Sequence, residues 1–386
     1  MDCRLANQNL NHQSTNYSDI DSSDTLSIHT DSIDTNSCYT EISESNSSKI
    51  DFNAILTLKQ ISNISNPYIL LIGPAGAGKT TLSKRVVLST FQNNNFAFFI
   101  PLAFIDPQKP IDLKYLIFTL GLLYFPSEIK ITENQLNVAF AWLLTYQHKV
   151  TIVIDGLDQA RFTLQSCKAP TDVDVHKKYS ASELLYMILA RKVLPEVRLI
   201  LTSRQHSILN FEINIRSKYV LYLDDLSEDD MKKLFCFYIK DEEVERVLNK
   251  LSQMSPKIQQ LTFCPLYFRL FCLLYEMVGF EIFELLKSTA NLIHELLIRL
   301  HNCAHKGSQL VLTNLSKLAY NKTMEGSVVI TQEDLLEYQI TPNEVINTMI
   351  GVHIDANSAL AGPSLFYFAH QSIQVSRLNF CYLMLS

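Results

Sequence analysis

The sequence has no excess of basic residues to hold a polyanion. Residues 1–50 carry eight acidic residues against Arg4 and Lys49, which accounts for the whole formal charge of -6 on the 386-residue chain. The remainder is neutral and shows no basic stripe, which argues against nucleic-acid binding as its main role. No apolar run reaches the ~18 to 20 residues of a membrane span, and the longest, "YLIFTLGLLYF", has the length of a buried helix. The N-terminal "MDCRLANQNL" is polar and offers no apolar signal core. None of the eight cysteines stands at C-x-x-C spacing, so reduced, buried thiols in the cytoplasm are the expected state. No leucine-rich, WD or ankyrin period appears.

What is present is an apolar chain, 47% hydrophobic, long enough for two or three domains. Residues 1–50 are rich in Ser, Thr, Asn and Asp and are expected to be a disordered acidic tail, because they cannot bury enough apolar surface to offset ordering entropy. In residues 51–224, short apolar runs alternate with helical stretches, the pattern of a parallel α/β sheet covered on both faces. The candidate strands are 68–72, 96–100, 149–154, 197–202 and 219–223. Residues 225–305 read as an all-α unit. It starts at "LSEDDM", where Ser227 can cap, Asp230 can close a capping box and Leu226 can pack on Met231; helical spacing follows over 242–255, 265–277 and 288–303. Residues 306–386 mix helices with short β-like pieces and suggest a small winged-helix domain.

The most informative stretch is "ILLIGPAGAGKTTL". Gly73, Gly78, Lys79 and Thr80 fit G-x-x-x-x-G-K-[ST] between an apolar strand and a helix, the context of a P-loop. The candidate nucleotide-binding residues are Gly73, Pro74, Ala75, Gly76, Ala77, Gly78, Lys79, Thr80 and Thr81. Glycines let the backbone aim N–H groups at phosphates, and the helix N-terminus adds positive potential. Lys79 would neutralise β and γ oxygens, and Thr80 would place its hydroxyl on Mg²⁺. In "VTIVIDGLDQA" an apolar strand ends in Asp155, a Walker B carboxylate suited to hold Mg²⁺ through water, with Asp158 available to orient or activate a water. In "LILTSRQ", Arg204 lies just past a strand, where it can sense a γ-phosphate.

With "GPAGAGKTTL", "VIDGLDQA" and "LTSR" in this order, the chain resembles the NACHT family of signalling NTPases, within the STAND class of nucleotide switches that includes the NOD-like receptors of innate immunity. The resemblance extends over roughly residues 60 to 380. It implies a sheet of order 5-1-4-3-2, ATP or ADP with Mg²⁺ as cofactor, and helical and winged-helix domains that close over ADP. Exchange for ATP would then open the protein for self-assembly, with homo-oligomers or longer NACHT proteins as partners. "LTFCPLYFRLFC" looks like the motif whose proline packs near the base, here Pro265. "FYFAHQSIQ" resembles the signature whose histidine contacts the β-phosphate of ADP, here His370. Without the family, Pro265 reads as a helix N-terminal proline and His370 as a core histidine.

Where many family members carry a glutamate after the second aspartate, this chain has Gln159, which cannot accept a proton, so turnover is expected to be slow. The N-terminal effector domain and C-terminal repeats usual in family receptors are not visible. Three readings stay open: an oligomerising ATPase switch, a truncated ADP-holding regulator or decoy without turnover, and an active NTPase enzyme. No acceptor site or nucleic-acid surface supports the third.

Overall fold

The computed structural model describes residues 28–29, 61, 67–121 except 94, 132–164, 173–208, 217–286 except 218, 291–292, 295–296, 299, 309–341 except 328, 351–354 and 365–368. Five parallel strands, β2 (Tyr68–Ile72), β3 (Phe96–Pro101), β4 (Val150–Asp155), β5 (Arg198–Ser203) and β6 (Tyr219–Leu223), form the central sheet in the order β6-β2-β5-β4-β3. Counted from β2, that is the order 5-1-4-3-2 implied by the family resemblance. The strands read as unbroken apolar runs because both faces of the sheet are covered. Leu70, Ile72, Ile100, Ile152 and Leu199 face one core, and Ile69, Leu71, Phe99, Val153 and Ile200 face the other. This alternation is the two-residue period of a strand. The first core is covered by helices α2 (Glu133–Thr145) and α3 (Ala181–Leu189), which contribute Leu136 and Leu184. The second is covered by α1 (Lys79–Gln92), which contributes Leu82 and Val86.

Three strands run one residue further than the apolar runs predict, ending at Pro101, Asp155 and Ser203. The ladder is made by main-chain groups, so a polar or proline residue at the last position does not stop it. A larger departure concerns the N-terminal tail, expected to be disordered throughout. Its residues Ile28–His29 form a short strand, β1, antiparallel to Tyr222 and Leu223 at the β6 edge of the sheet. The apolar run "YLIFTL" (115–120) winds as a π-helical stretch with Leu116, Ile117, Phe118 and Leu120 buried.

After β6 the chain is mostly helical: α4 (Glu228–Tyr238), α5 (Asp241–Ser252), α6 (Pro256–Phe263), α7 (Pro265–Val278) and α8 (Gln309–Met324). Ser227 caps α4 in a full capping box with Asp230, and Leu226 and Met231 are both buried beside it. The run predicted over 242–255 stops at Ser252, and a new helix opens on Pro256, whose missing N–H suits the first helical position. Then follow β7 (Val329–Ile330), α9 (Gln332–Glu337), β8 (Gly351–Ile354) and β9 (Leu365–Phe368), the strands forming an antiparallel sheet ordered β7-β9-β8. One apolar cluster extends from Leu226 through Phe235, Phe271 and Leu318 to Phe366, across the boundary expected at residue 305. Among the described residues no single helix is long and apolar enough to cross a membrane.

Candidate nucleotide-binding site

The loop Gly73–Gly78 crosses from β2, at the middle of the sheet, to the first turn of α1. Its entry is close-packed: the Gly73 N–H donates to the Ser203 carbonyl at 3.4 Å, and a Cβ on Gly73 would lie 3.0 Å from the Leu223 carbonyl oxygen. Gly76 and Gly78 have φ of 86° and 91°, the left-handed region that glycine enters at little steric cost. Successive N–H groups in such a turn form a concave nest for an anion.

The start of α1 differs from the other capped helices. The helices α2, α3, α4 and α9 each begin with a capping box, in which a Ser or Thr side chain accepts from the third residue of the helix. By contrast, α1 is preceded by Gly78, has no side-chain cap and has no acidic residue in its first turn. Its leading N–H groups are therefore left for an outside acceptor, and no carboxylate competes for them. α6 and α7 also lack a side-chain cap and a first-turn acid, but each opens on a proline, whereas α1 follows the glycine loop, which makes its start the candidate phosphate site.

Lys79 folds back so that its ammonium donates to the carbonyls of Gly73 at 2.7 Å and Pro74 at 2.8 Å. Burial holds its pKa below the usual lysine value; Asp158 and Asp155 draw it back up, while Arg204 opposes them. At the end of β4, separated from β2 by β5, Asp155 is 6% exposed and both its oxygens are engaged. Thr80 donates to Oδ2 and Thr202 to Oδ1, each at 2.8 Å. Burial raises the Asp155 carboxyl above the usual range, and the bonds from Thr202 and Thr80 and the charges of Lys84 and Lys79 work against that rise. Lys84 lies one helical turn further along α1, with its ammonium 5.5 Å from the centre of the Phe99 ring.

Asp158 and Arg204, read separately in the sequence, stand together. Arg204 Nε is 2.7 Å from Asp158 Oδ2, an ion pair rather than a straight hydrogen bond, and the Asp158 side chain is only 5% exposed. Gly156, with φ of 79°, turns the chain between the two aspartates and lies close under Gln159.

Pro265 occupies the first position of α7, as its residue type predicts. Having no N–H, it leaves Leu266 as the first free donor of that helix, and Leu266 N–H donates to the Gly76 carbonyl at 3.2 Å. The preceding Cys264 thiol lies 3.7 Å from the Ala75 carbonyl. The helical part thus sits directly on the P-loop. His370 lies outside the described residues. Sequence reasoning passed over Thr202, Lys84 and the Cys264–Leu266 seat. Thr202 was visible in "LTSR", but only its arginine suggested chemistry.

The donor set suits Mg²⁺. Thr80 and Asp155 offer hard oxygens, and among the described residues no group of three or more His, Cys, Asp or Glu could hold a metal without help. Mg²⁺ keeps several waters and takes one or two protein oxygens together with phosphate, which fits such a sparse site.

The parallel sheet, the uncapped helix behind a glycine loop and the carboxylate at the end of β4, with β5 between it and the loop strand, define a P-loop NTPase fold. Residues 67–242 match the NACHT domain family, and the chain carries a NACHT domain. It is 25% identical over 200 residues to human (Homo sapiens) "NACHT, LRR and PYD domains-containing protein 7", a match covering 52% of this chain and 20% of that protein. It is 22% identical over 329 residues to the rat (Rattus norvegicus) "NACHT, LRR and PYD domains-containing protein 6", covering 82% of this chain and 36% of that protein. The chain thus spans about a fifth to a third of the length of these relatives. Among solved structures, the Walker-type ATPase of Pyrococcus abyssi aligns with 13% identity and a TM-score of 0.36, covering 83% of this chain and 93% of that one.

Proposed function

We propose that the chain is a nucleotide-dependent switch: ADP with Mg²⁺ holds it closed, exchange for ATP opens it for self-association, and hydrolysis is slow. The observation that carries this reading is the seat of α7 on the P-loop. The loop that would wrap the phosphates also accepts the Leu266 N–H through Gly76. A change in the loop is therefore felt by the helical part, and the reverse.

Within this reading Lys79 and the free amides at the start of α1 hold the phosphates, and Thr80 and Asp155 hold Mg²⁺, which supplies charge neutralisation between phosphate oxygens. Pro265 lies near the base, and His370 adds a contact to the β-phosphate from the C-terminal part. One charge-assisted hydrogen bond contributes ~1.5 to 3 kcal/mol. Moving a two-state protein from 1:99 to 99:1 takes about 5.5 kcal/mol. His370 alone therefore cannot set the state, and the Cys264–Leu266 seat is a natural sharer of the task.

Gln159 supports a second reading, a regulator that keeps ADP without turnover. Both readings are tested by denaturing the purified full chain and identifying the released nucleotide by chromatography, with Lys79→Ala as control. Stoichiometric ADP from the wild type alone is expected; its absence from both refutes a resident nucleotide. Adding ATP and following particle size by light scattering then separates the two, because only the switch grows.

A further inference from the structure

Asp155 is the candidate carboxylate beside the phosphate loop, yet a carboxylate at the end of a strand is free to rotate. What fixes its plane is the residue one strand over. The ladder pairs Ile154 of β4 with Leu201 of β5, so the next step brings Asp155 level with Thr202. Thr202 is completely buried, and its hydroxyl is used twice: it donates to Asp155 Oδ1 at 2.8 Å and accepts from the Gly156 N–H at 2.8 Å.

We propose that Thr202 is a positioning residue for the magnesium-holding carboxylate, fixing Asp155 through Oδ1 so that Oδ2 faces Thr80 and the phosphate loop. The inference rests on the reading of Asp155 as a Mg²⁺ residue. A buried threonine hydroxyl needs some partner wherever it sits, but here its two bonds converge on the residue that ends the Walker strand and the glycine that follows it. Valine has the same shape and suits a strand equally well. At this position it would remove the bond to Oδ1 and leave the Gly156 N–H without its acceptor. Thr80 is the residue that the reading commits to the metal, so its bond to Oδ2 is the one given up on loading. Thr202 is then the donor that keeps the carboxylate in place.

The test compares wild type, Thr202→Val, Thr202→Ser and Asp155→Asn in the full chain, reading ATP affinity by calorimetry across a Mg²⁺ titration and again in excess EDTA. Partners that orient a metal-binding residue typically change metal affinity by about 10- to 100-fold. Thr202→Val is expected to raise the Mg²⁺ concentration at half-maximal binding by about that factor, with affinity in EDTA unchanged, while Thr202→Ser behaves as wild type. An unchanged Mg²⁺ midpoint in Thr202→Val overturns the proposal. So does a Thr202→Ser protein shifted as far as Thr202→Val, a comparison that Thr202→Ala supplies if the valine variant does not fold. If Asp155→Asn leaves the Mg²⁺ dependence intact, the reading of Asp155 fails and the inference falls with it. If Asp155→Asn responds and Thr202→Val does not, only the inference falls.

Discussion

Arg204 holds Asp158 at 2.7 Å, so the candidate phosphate sensor and the candidate water-orienting acid neutralise one another. A γ-phosphate arriving beside Lys79 competes with Asp158 for the same guanidinium. The two residues should therefore respond differently to substitution. Arg204→Ala is expected to weaken ATP by about 10-fold or more, the lower end of a charge-assisted bond, and to leave ADP nearly unchanged. Asp158→Asn releases the guanidinium, so it should bind ATP at least as tightly as wild type and turn it over more slowly. Calorimetry with both nucleotides and a single-turnover assay read the two effects separately. Equal losses for ATP and ADP in Arg204→Ala would remove the arginine from the sensing role.

The uncapped start of α1 gives a prediction in which stability and binding move in opposite directions. Thr81 is exposed in the first turn, where no acid is present. A carboxylate there complements the helix dipole by about 0.3 to 1 kcal/mol. Thr81→Glu should therefore raise the melting temperature of the nucleotide-free protein while weakening ADP. A variant that lost stability and binding together would show that the first turn is not held open for an anion.

Much of this architecture is legible in the sequence because buried parallel strands leave unbroken apolar runs. "YILLI" and "VTIVI" could hardly be anything else once a glycine loop follows one and an aspartate ends the other. The Ser227 capping box was legible for the same reason, since its chemistry lies within four residues. The rest depends on pairs that chain order separates. Arg204 and Asp158 each suggested a role, but their pairing needs the β4–β5 neighbourhood. Ile28–His29 gave no signal, because two residues added to an edge carry no period. The π-helical winding at 115–120 was equally hidden, since apolar spacing does not distinguish it from an α-helix at that length.

The contact between Gly76 and Cys264 is tight enough to test by substitution. A Cβ on Gly76 would meet Cys264 Sγ at 2.8 Å and Leu266 Cβ at 3.0 Å, at a φ of 86°. Gly76→Ala should cost about 1 to 3 kcal/mol, as non-glycine residues in this backbone region do. Adding Cys264→Ala should return part of that cost by removing the sulfur, with the remainder due to Leu266 and the backbone. Thermal melts of the single and double variants give the coupling energy directly. Strict additivity would mean that α7 does not rest on the loop.

The Leu266 amide has a further use. First-turn amides of a helix have no acceptor within their own helix and ordinarily exchange with solvent freely. This one has borrowed an acceptor from the phosphate loop. In deuterated water it becomes a natural clock: the rate at which it takes up label counts how often α7 and the loop part, without any probe being attached to the protein.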